Sequence, residues 1–191
     1  MDLIAASFAA AALADNIVLA KMLGLCPFAG LSRRMDVAAG VGFATAAVLT
    51  VSSAAAWLID RALLESFPAA RPLVFIALAA ATVQAAEQLM RWKTPRMHRM
   101  LGIYLPLIAT NCAVLAVMLL AVRESPDSFL RATARGFGGG VGFMLAVVCL
   151  AAVRGRISES LTPEIMRGAP LTMITAGWMA LAFSGLTGVF R

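Results

Sequence analysis

Six apolar stretches, each close to twenty residues, follow one another with only short polar breaks. They run roughly Leu3–Leu25, Asp36–Ile59, Pro72–Met90, Leu101–Val122, Ala132–Val153 and Ala169–Phe190. A stretch of about twenty residues crosses the hydrocarbon core of a bilayer as a helix, the one unclosed structure that satisfies all its own backbone polar groups there. The predicted fold is therefore all-α: one integral membrane domain over residues 1–191, with six transmembrane helices. Composition agrees, at 61% apolar and 14% charged residues, against roughly 45–50% and 25% in an ordinary globular chain. Met1-Asp2 supplies no positive n-region and the first stretch ends in no cleavage pattern, so that stretch is expected to remain in the membrane.

The net charge of +6 does not imply a nucleic-acid partner, because the basic residues sit in short loops, where they orient helices. The loops after segments one, three and five carry Arg33, Arg34, Arg91, Lys93, Arg96, Arg99, Arg154, Arg156 and Arg167, with acids only at Asp36, Glu159 and Glu164. The other side mixes Arg61, Arg71, Arg123, Arg131, Arg135 and Arg191 with Asp2, Asp60, Glu65, Glu124 and Asp127. The first set is expected in the cytoplasm, with both termini facing away from it.

Two internal matches point to a repeat. Gly40-Val41-Gly42-Phe43 returns as Gly140-Val141-Gly142-Phe143, and Ala14-Asp15-Asn16-Ile17-Val18-Leu19-Ala20 resembles Ala109-Thr110-Asn111-Cys112-Ala113-Val114-Leu115-Ala116. Each half, residues 1–95 and 96–191, holds three spans. Three is odd, so the second half enters the membrane from the opposite face. Inverted repeats of this kind place the working site near the midplane, on discontinuous helices. Glycines 40, 42, 138, 139, 140 and 142 give segments two and five small faces for close helix packing.

The residues that can carry chemistry are few. Cys26 lies in Leu23-Gly24-Leu25-Cys26-Pro27-Phe28, a thiol between two helix breakers at membrane depth. Proline removes a donor and biases the preceding residue away from helical geometry. Cys112 lies inside segment four, beside Asn111. Thiolates bind iron–sulfur clusters, zinc and Cu(I). Cys112 is about 18 Å of helix from Met100 and Cys26 about 10 Å from Arg33, so the two meet only if segment one or four is interrupted. Two thiolates do not complete a cluster that takes four cysteines; a second polypeptide must supply the rest. Cys149, between Val148 and Leu150, reads as core packing. Asp15, Lys21 and Glu87 are ionisable residues within segments, which makes them candidates for an ion path, although Glu87 is also placed to pair with Arg91. His98 falls in a basic loop and reads as solvated.

Asn16 to Ser32, read N-I-V-L-A-K-M-L-G-L-C-P-F-A-G-L-S, together with Leu101 to Leu115, Gly136 to Phe143 and Met173 to Gly177, resembles the A subunits of the Rnf complex. Gln84 and Glu87 fall where that family has the same pair. The related E subunit of the sodium-translocating NADH:quinone oxidoreductase differs around Leu25-Cys26-Pro27. The Rnf E subunit differs after the second cysteine, where Ala113 to Val122 is wholly apolar here. The resemblance implies a multi-pass subunit of the bacterial inner membrane, with both termini periplasmic. Its complex would be an ion-translocating ferredoxin:NAD oxidoreductase moving Na⁺ or H⁺. It further implies a [2Fe–2S] cluster within the membrane, held by Cys26 and Cys112 and by two cysteines of the homologous E subunit, with the B, C, D and G subunits as further partners. The family has uncharged residues at Asp15 and Lys21, so those two charges are departures from its pattern.

No glycine fingerprint for a dinucleotide or flavin follows a strand, so no independent catalysis is expected of the chain. Two rival readings differ in kind: a small inverted-repeat ion transporter or channel using Asp15, Lys21 and Glu87, and a purely structural membrane anchor.

Overall fold

A computed structural model describes residues 16–24, 35–64, 68–93, 111–124, 128–157 and 163–189. The described residues are helical, with no strand among them: α1 Ile17–Lys21, α2 Met35–Ile59, α3 Arg71–Lys93, α4 Cys112–Glu124, α5 Phe129–Arg156 and α6 Ala169–Val189. A π-helical turn, Asp60–Leu64, continues α2, and 3₁₀ turns at Pro68–Ala70 and Glu164–Met166 precede α3 and α6. Three of the helical stretches, Met35–Ala62, Arg71–Trp92 and Phe129–Arg156, are long and apolar enough to cross a membrane.

The centre of the fold is the α2–α5 pair. Its glycines explain how the two helices come so close. A methyl group on Gly140 would lie 2.6 Å from the Ala46 Cα, and one on Gly42 would lie 3.1 Å from the Met144 Cα. Gly136 lies against Ser53 and the Leu49 carbonyl. Rising numbers on α2 meet falling numbers on α5, so the helices run antiparallel. The start of α2 therefore shares a side with the end of α5, where Arg154 and Arg156 sit. The Gly-Val-Gly-Phe motifs thus belong to the two helices that cross, running in opposite directions.

Lipid offers no hydrophobic drive between helices, so this crossing is held by van der Waals packing and hydrogen bonding. Buried Val41, Val48, Phe143, Ala146, Val147 and Leu150 form one cluster of the core; Leu49, Phe75, Val114, Val117 and Met118 anchor another, to which α3 and α4 contribute. The buried hydroxyls of α2 are satisfied within the helix. Thr45 donates to the Val41 carbonyl (2.8 Å) and Ser52 to that of Val48 (2.6 Å), so they bring no unpaired polar group into the core.

At the far end, two ion pairs close the connections. Asp60 pairs with Arg71 between α2 and α3, and Glu124 with Arg135 between α4 and α5. Helix α3 is peripheral, presenting Leu73, Ile76, Leu89 and Trp92 outward.

Segments one and four differ from straight spans. Within segment one, Asn16 is non-helical, α1 has five residues, and Met22 turns left-handed at φ 54°. Within segment four, Asn111 is non-helical and α4 starts at Cys112. The two cysteine motifs need one interrupted segment in order to meet, and both segments carry a non-helical residue midway.

A mid-depth junction around Cys112

The junction begins with two asparagines, one in each of the two matching sequence stretches, Ala14–Ala20 and Ala109–Ala116. Asn16 Oδ1 accepts the N–H groups of Val18 (3.1 Å) and Leu19 (3.4 Å) and so starts α1. Asn111 Oδ1 accepts the Ala113 N–H (3.0 Å) and starts α4. This is N-capping, which asparagine performs well because its side-chain oxygen satisfies donors that a helix start leaves orphaned. Both asparagines are buried. The Asn16 Nδ2 also donates to the Gly142 carbonyl (2.9 Å), near the midpoint of α5, tying the broken segment to the central pair.

After α1 the chain turns sharply. The Leu23 N–H reaches back to the Ile17 carbonyl (3.2 Å), and Gly24 adopts φ +86°. That conformation is open to glycine and strained for other residues. It delivers the Gly24 N–H to the Cys112 Sγ at 3.1 Å. Around Gly24 the space is closed: a methyl group there would meet the Ala113 Cβ and Asn111 Oδ1 at 3.0 Å and the Phe143 ring at 3.4 Å. Three parts of the chain thus converge: the turn leading toward Cys26, the capped start of α4, and the middle of α5.

The predicted site residues fall as follows. Cys112 is a free thiol, exposed on the surface of the chain at the first position of α4. Cys26, Asp15 and His98 lie outside the described residues. Lys21 is exposed in the last turn of α1, where a positive charge complements the helix end. Glu87 is half-buried on α3. It does not pair with Arg91, the partner that the i to i+4 spacing suggests. Among the described residues these two form no ion pair; the Arg91 side chain is exposed. Cys149, expected in the core, is a half-buried free thiol on α5. Among the described residues no three ligand side chains gather that could hold a metal ion.

Sequence reasoning misses the roles of Asn16 and Gly24. A signal for the first is present, an asparagine followed by apolar residues in both of the matching stretches, Ala14–Ala20 and Ala109–Ala116. Gly24 reads from sequence only as a helix breaker. A separate apolar groove of about 710 Å³ lies between α1 and α6, lined by Leu19, Met22, Ile174, Trp178 and Leu181.

Comparison with known proteins bears on the whole chain. Residues 4–190 match the model of the Rnf-Nqr family, described as "Rnf-Nqr subunit, membrane protein". Relatives named as the A subunit of an ion-translocating oxidoreductase complex include one from Pectobacterium carotovorum, 45% identical over 186 residues and 96% of each chain. Another, from Azoarcus sp., is 47% identical over 180 residues and 93% of each chain, and one from Vibrio vulnificus is 45% identical over 181 residues and 94% of each. The match extends well beyond the cysteine motifs, into the packing glycines and both capped segments, and the chain belongs to the Rnf-Nqr family of membrane subunits.

Proposed function

We propose that this chain is the A-type membrane subunit of an ion-translocating ferredoxin:NAD oxidoreductase complex, and that Cys26 and Cys112 hold one half of a [2Fe–2S] cluster at mid-membrane. The observation that carries the reading is the Gly24 N–H on the Cys112 sulfur. One residue, Leu25, separates Gly24 from Cys26, a span of about 7 Å at full extension. The first cysteine motif is therefore tethered at the second cysteine.

The residues present fit such a group in three respects. Cys112 offers an exposed thiol at a helix start and already receives an amide donor. The Asn111 Nδ2, buried beside it, has no hydrogen-bond partner among the described residues. Gly24, closed in by Ala113, Asn111 and Phe143, lets the backbone of the first motif approach Cys112 closely. Two thiols suit a half-site, and the exposure of Cys112 suits completion by another polypeptide. In this reading the homologous E subunit supplies the other two cysteines, and the B, C, D and G subunits complete the assembly. When bound, the cluster supplies one-electron transfer within the bilayer.

This chain's own residues hold and orient that centre. Asn16 and Asn111 fix the two helix starts, and the positive N-terminal end of α4, where Cys112 sits, favours a negatively charged occupant. The six segments form two inverted halves, 1–95 and 96–191, whose antiparallel α2 and α5 carry the matching glycine motifs. The chain lies in the bacterial inner membrane with its basic loops inside and both termini periplasmic. Coupling to outward Na⁺ or H⁺ movement would arise through a change in how the halves pack, with Asp15, Lys21 and Glu87 as the ionisable candidates along the ion path.

The test is iron content and electron paramagnetic resonance of the assembled complex carrying Cys26→Ser or Cys112→Ser. Each substitution is expected to remove the [2Fe–2S] signal and electron transfer, while Cys149→Ser keeps both. A cluster that survives both substitutions overturns the reading and returns the chain to the transporter or anchor classes.

A further inference from the structure

We infer that the backbone N–H of Gly24 is a positioning donor to the Cys112 sulfur, orienting it and setting the electron affinity of the centre it holds. The inference rests on the cluster reading above. Four observations support it. The bond joins residues 88 apart in sequence, at 3.1 Å, so it is a tertiary contact and not a by-product of local geometry. The turn that presents the donor is fixed at both ends of α1: Asn16 is tied to the Gly142 carbonyl, and Leu23 is tied back to Ile17.

The position excludes any residue but glycine, by φ and by space together. A side chain would be strained at φ +86° and would press on Ala113, Asn111 and Phe143. A turn needing only the conformation would not also require contact with α4 and α5 at this distance. Finally, the Cys112 side chain is exposed, so the protein itself leaves it few packing restraints, and this hydrogen bond supplies one. Cys149, toward the C-terminal end of α5, has no such donor among the described residues.

Hydrogen bonds to cluster sulfurs are among the determinants of reduction potential. An amide donor stabilises the more negative, reduced state, and so raises the potential. The donor here is main chain from one half, and the acceptor is a side chain of the other half. Any relative movement of the halves at this junction would change the bond and the potential together.

The experiment uses the assembled complex with ¹⁵N-glycine incorporated, reduced, and read by pulsed electron paramagnetic resonance. A ¹⁵N coupling to the cluster is expected, and it should vanish in Gly24→Ala, with the midpoint potential shifted to lower values. A cluster without glycine coupling overturns the inference alone. So does a coupling or potential unchanged in Gly24→Ala. If Gly24→Ala loses the cluster, the labelled wild-type complex decides. A wild-type complex with no [2Fe–2S] spectrum overturns the cluster reading, and the inference with it.

Discussion

The Asn16 side chain bonds the Gly142 carbonyl through Nδ2 while its Oδ1 caps α1, so one carboxamide both starts the short helix and fastens it to the middle of α5. Its removal loses an N-cap worth about 1 kcal/mol and a buried hydrogen bond worth about 1 kcal/mol. Asn16→Ala is expected to destabilise the fold by about 2 kcal/mol by these terms. Asn16→Asp keeps the cap but sets a carboxylate oxygen against the Gly142 carbonyl, and should recover less than half of the loss. Thermal denaturation of the purified protein in detergent measures both; equal stability of all three forms would contradict the double role.

Glycines in the long helices separate into two kinds. Gly140 faces the Ala46 backbone, with a 2.6 Å approach for an added methyl, whereas Gly155 and Gly177 have nothing within 4 Å. Gly140→Ala must push α2 and α5 apart, an overpacking cost of about 1–3 kcal/mol. Gly155→Ala and Gly177→Ala gain helix propensity of about 0.5–1 kcal/mol. Melting temperatures should therefore move in opposite directions for the two kinds.

Much of this architecture is legible in the sequence, and the reasons differ by feature. The spans can be read because hydropathy and helix length are tied by bilayer thickness, so α2, α3 and α5 fall within a few residues of their expected places. An interruption of segment one or four can be inferred from the unequal depths of Cys26 and Cys112, but which segment it is and where it falls cannot. A left-handed methionine at 22 has no propensity signal, and it is the hydrogen bonds around Asn16 and Leu23 that fix it. The Gly24–Cys112 bond joins residues 88 apart in sequence, invisible to any local pattern. The Glu87–Arg91 pairing fails because i to i+4 spacing permits an ion pair on a helix without requiring one.

The two loops closed by ion pairs give an electrostatic test. Asp60 and Arg71 approach to 2.7 Å with their side chains 15% and 36% exposed. Partial exposure limits such a pair to about 1 kcal/mol or less. Asp60→Asn should lower stability by that amount at low salt, and the difference from wild type should shrink as ionic strength rises. A double-mutant cycle with Arg71→Gln isolates the pair.

The phenylalanines that close the two Gly-Val-Gly-Phe motifs sit in unlike surroundings. Phe143 is 2% exposed and packs on Gly24, whereas Phe43 is 66% exposed. Phe143→Ala is expected to destabilise by about 3–5 kcal/mol, the range for a buried aromatic. Phe43→Ala should change the isolated chain by about 0.5 kcal/mol or less. Urea or thermal denaturation of both variants distinguishes them, and similar losses would contradict the difference in burial.

The exposure of Cys112 makes a prediction about assembly that does not depend on seeing iron. In the isolated chain its thiol is open while Cys149 is half-buried, so N-ethylmaleimide should modify Cys112 first. If that face is completed by another polypeptide, modification of Cys112 should fall at least tenfold in the assembled complex, while Cys149 changes little. Chelating the iron from the complex separates the two sources of protection. Protection that persists belongs to a protein interface, and protection that disappears belongs to the metal. Equal reactivity of Cys112 in the chain and the complex would place this face toward lipid and remove the half-site argument.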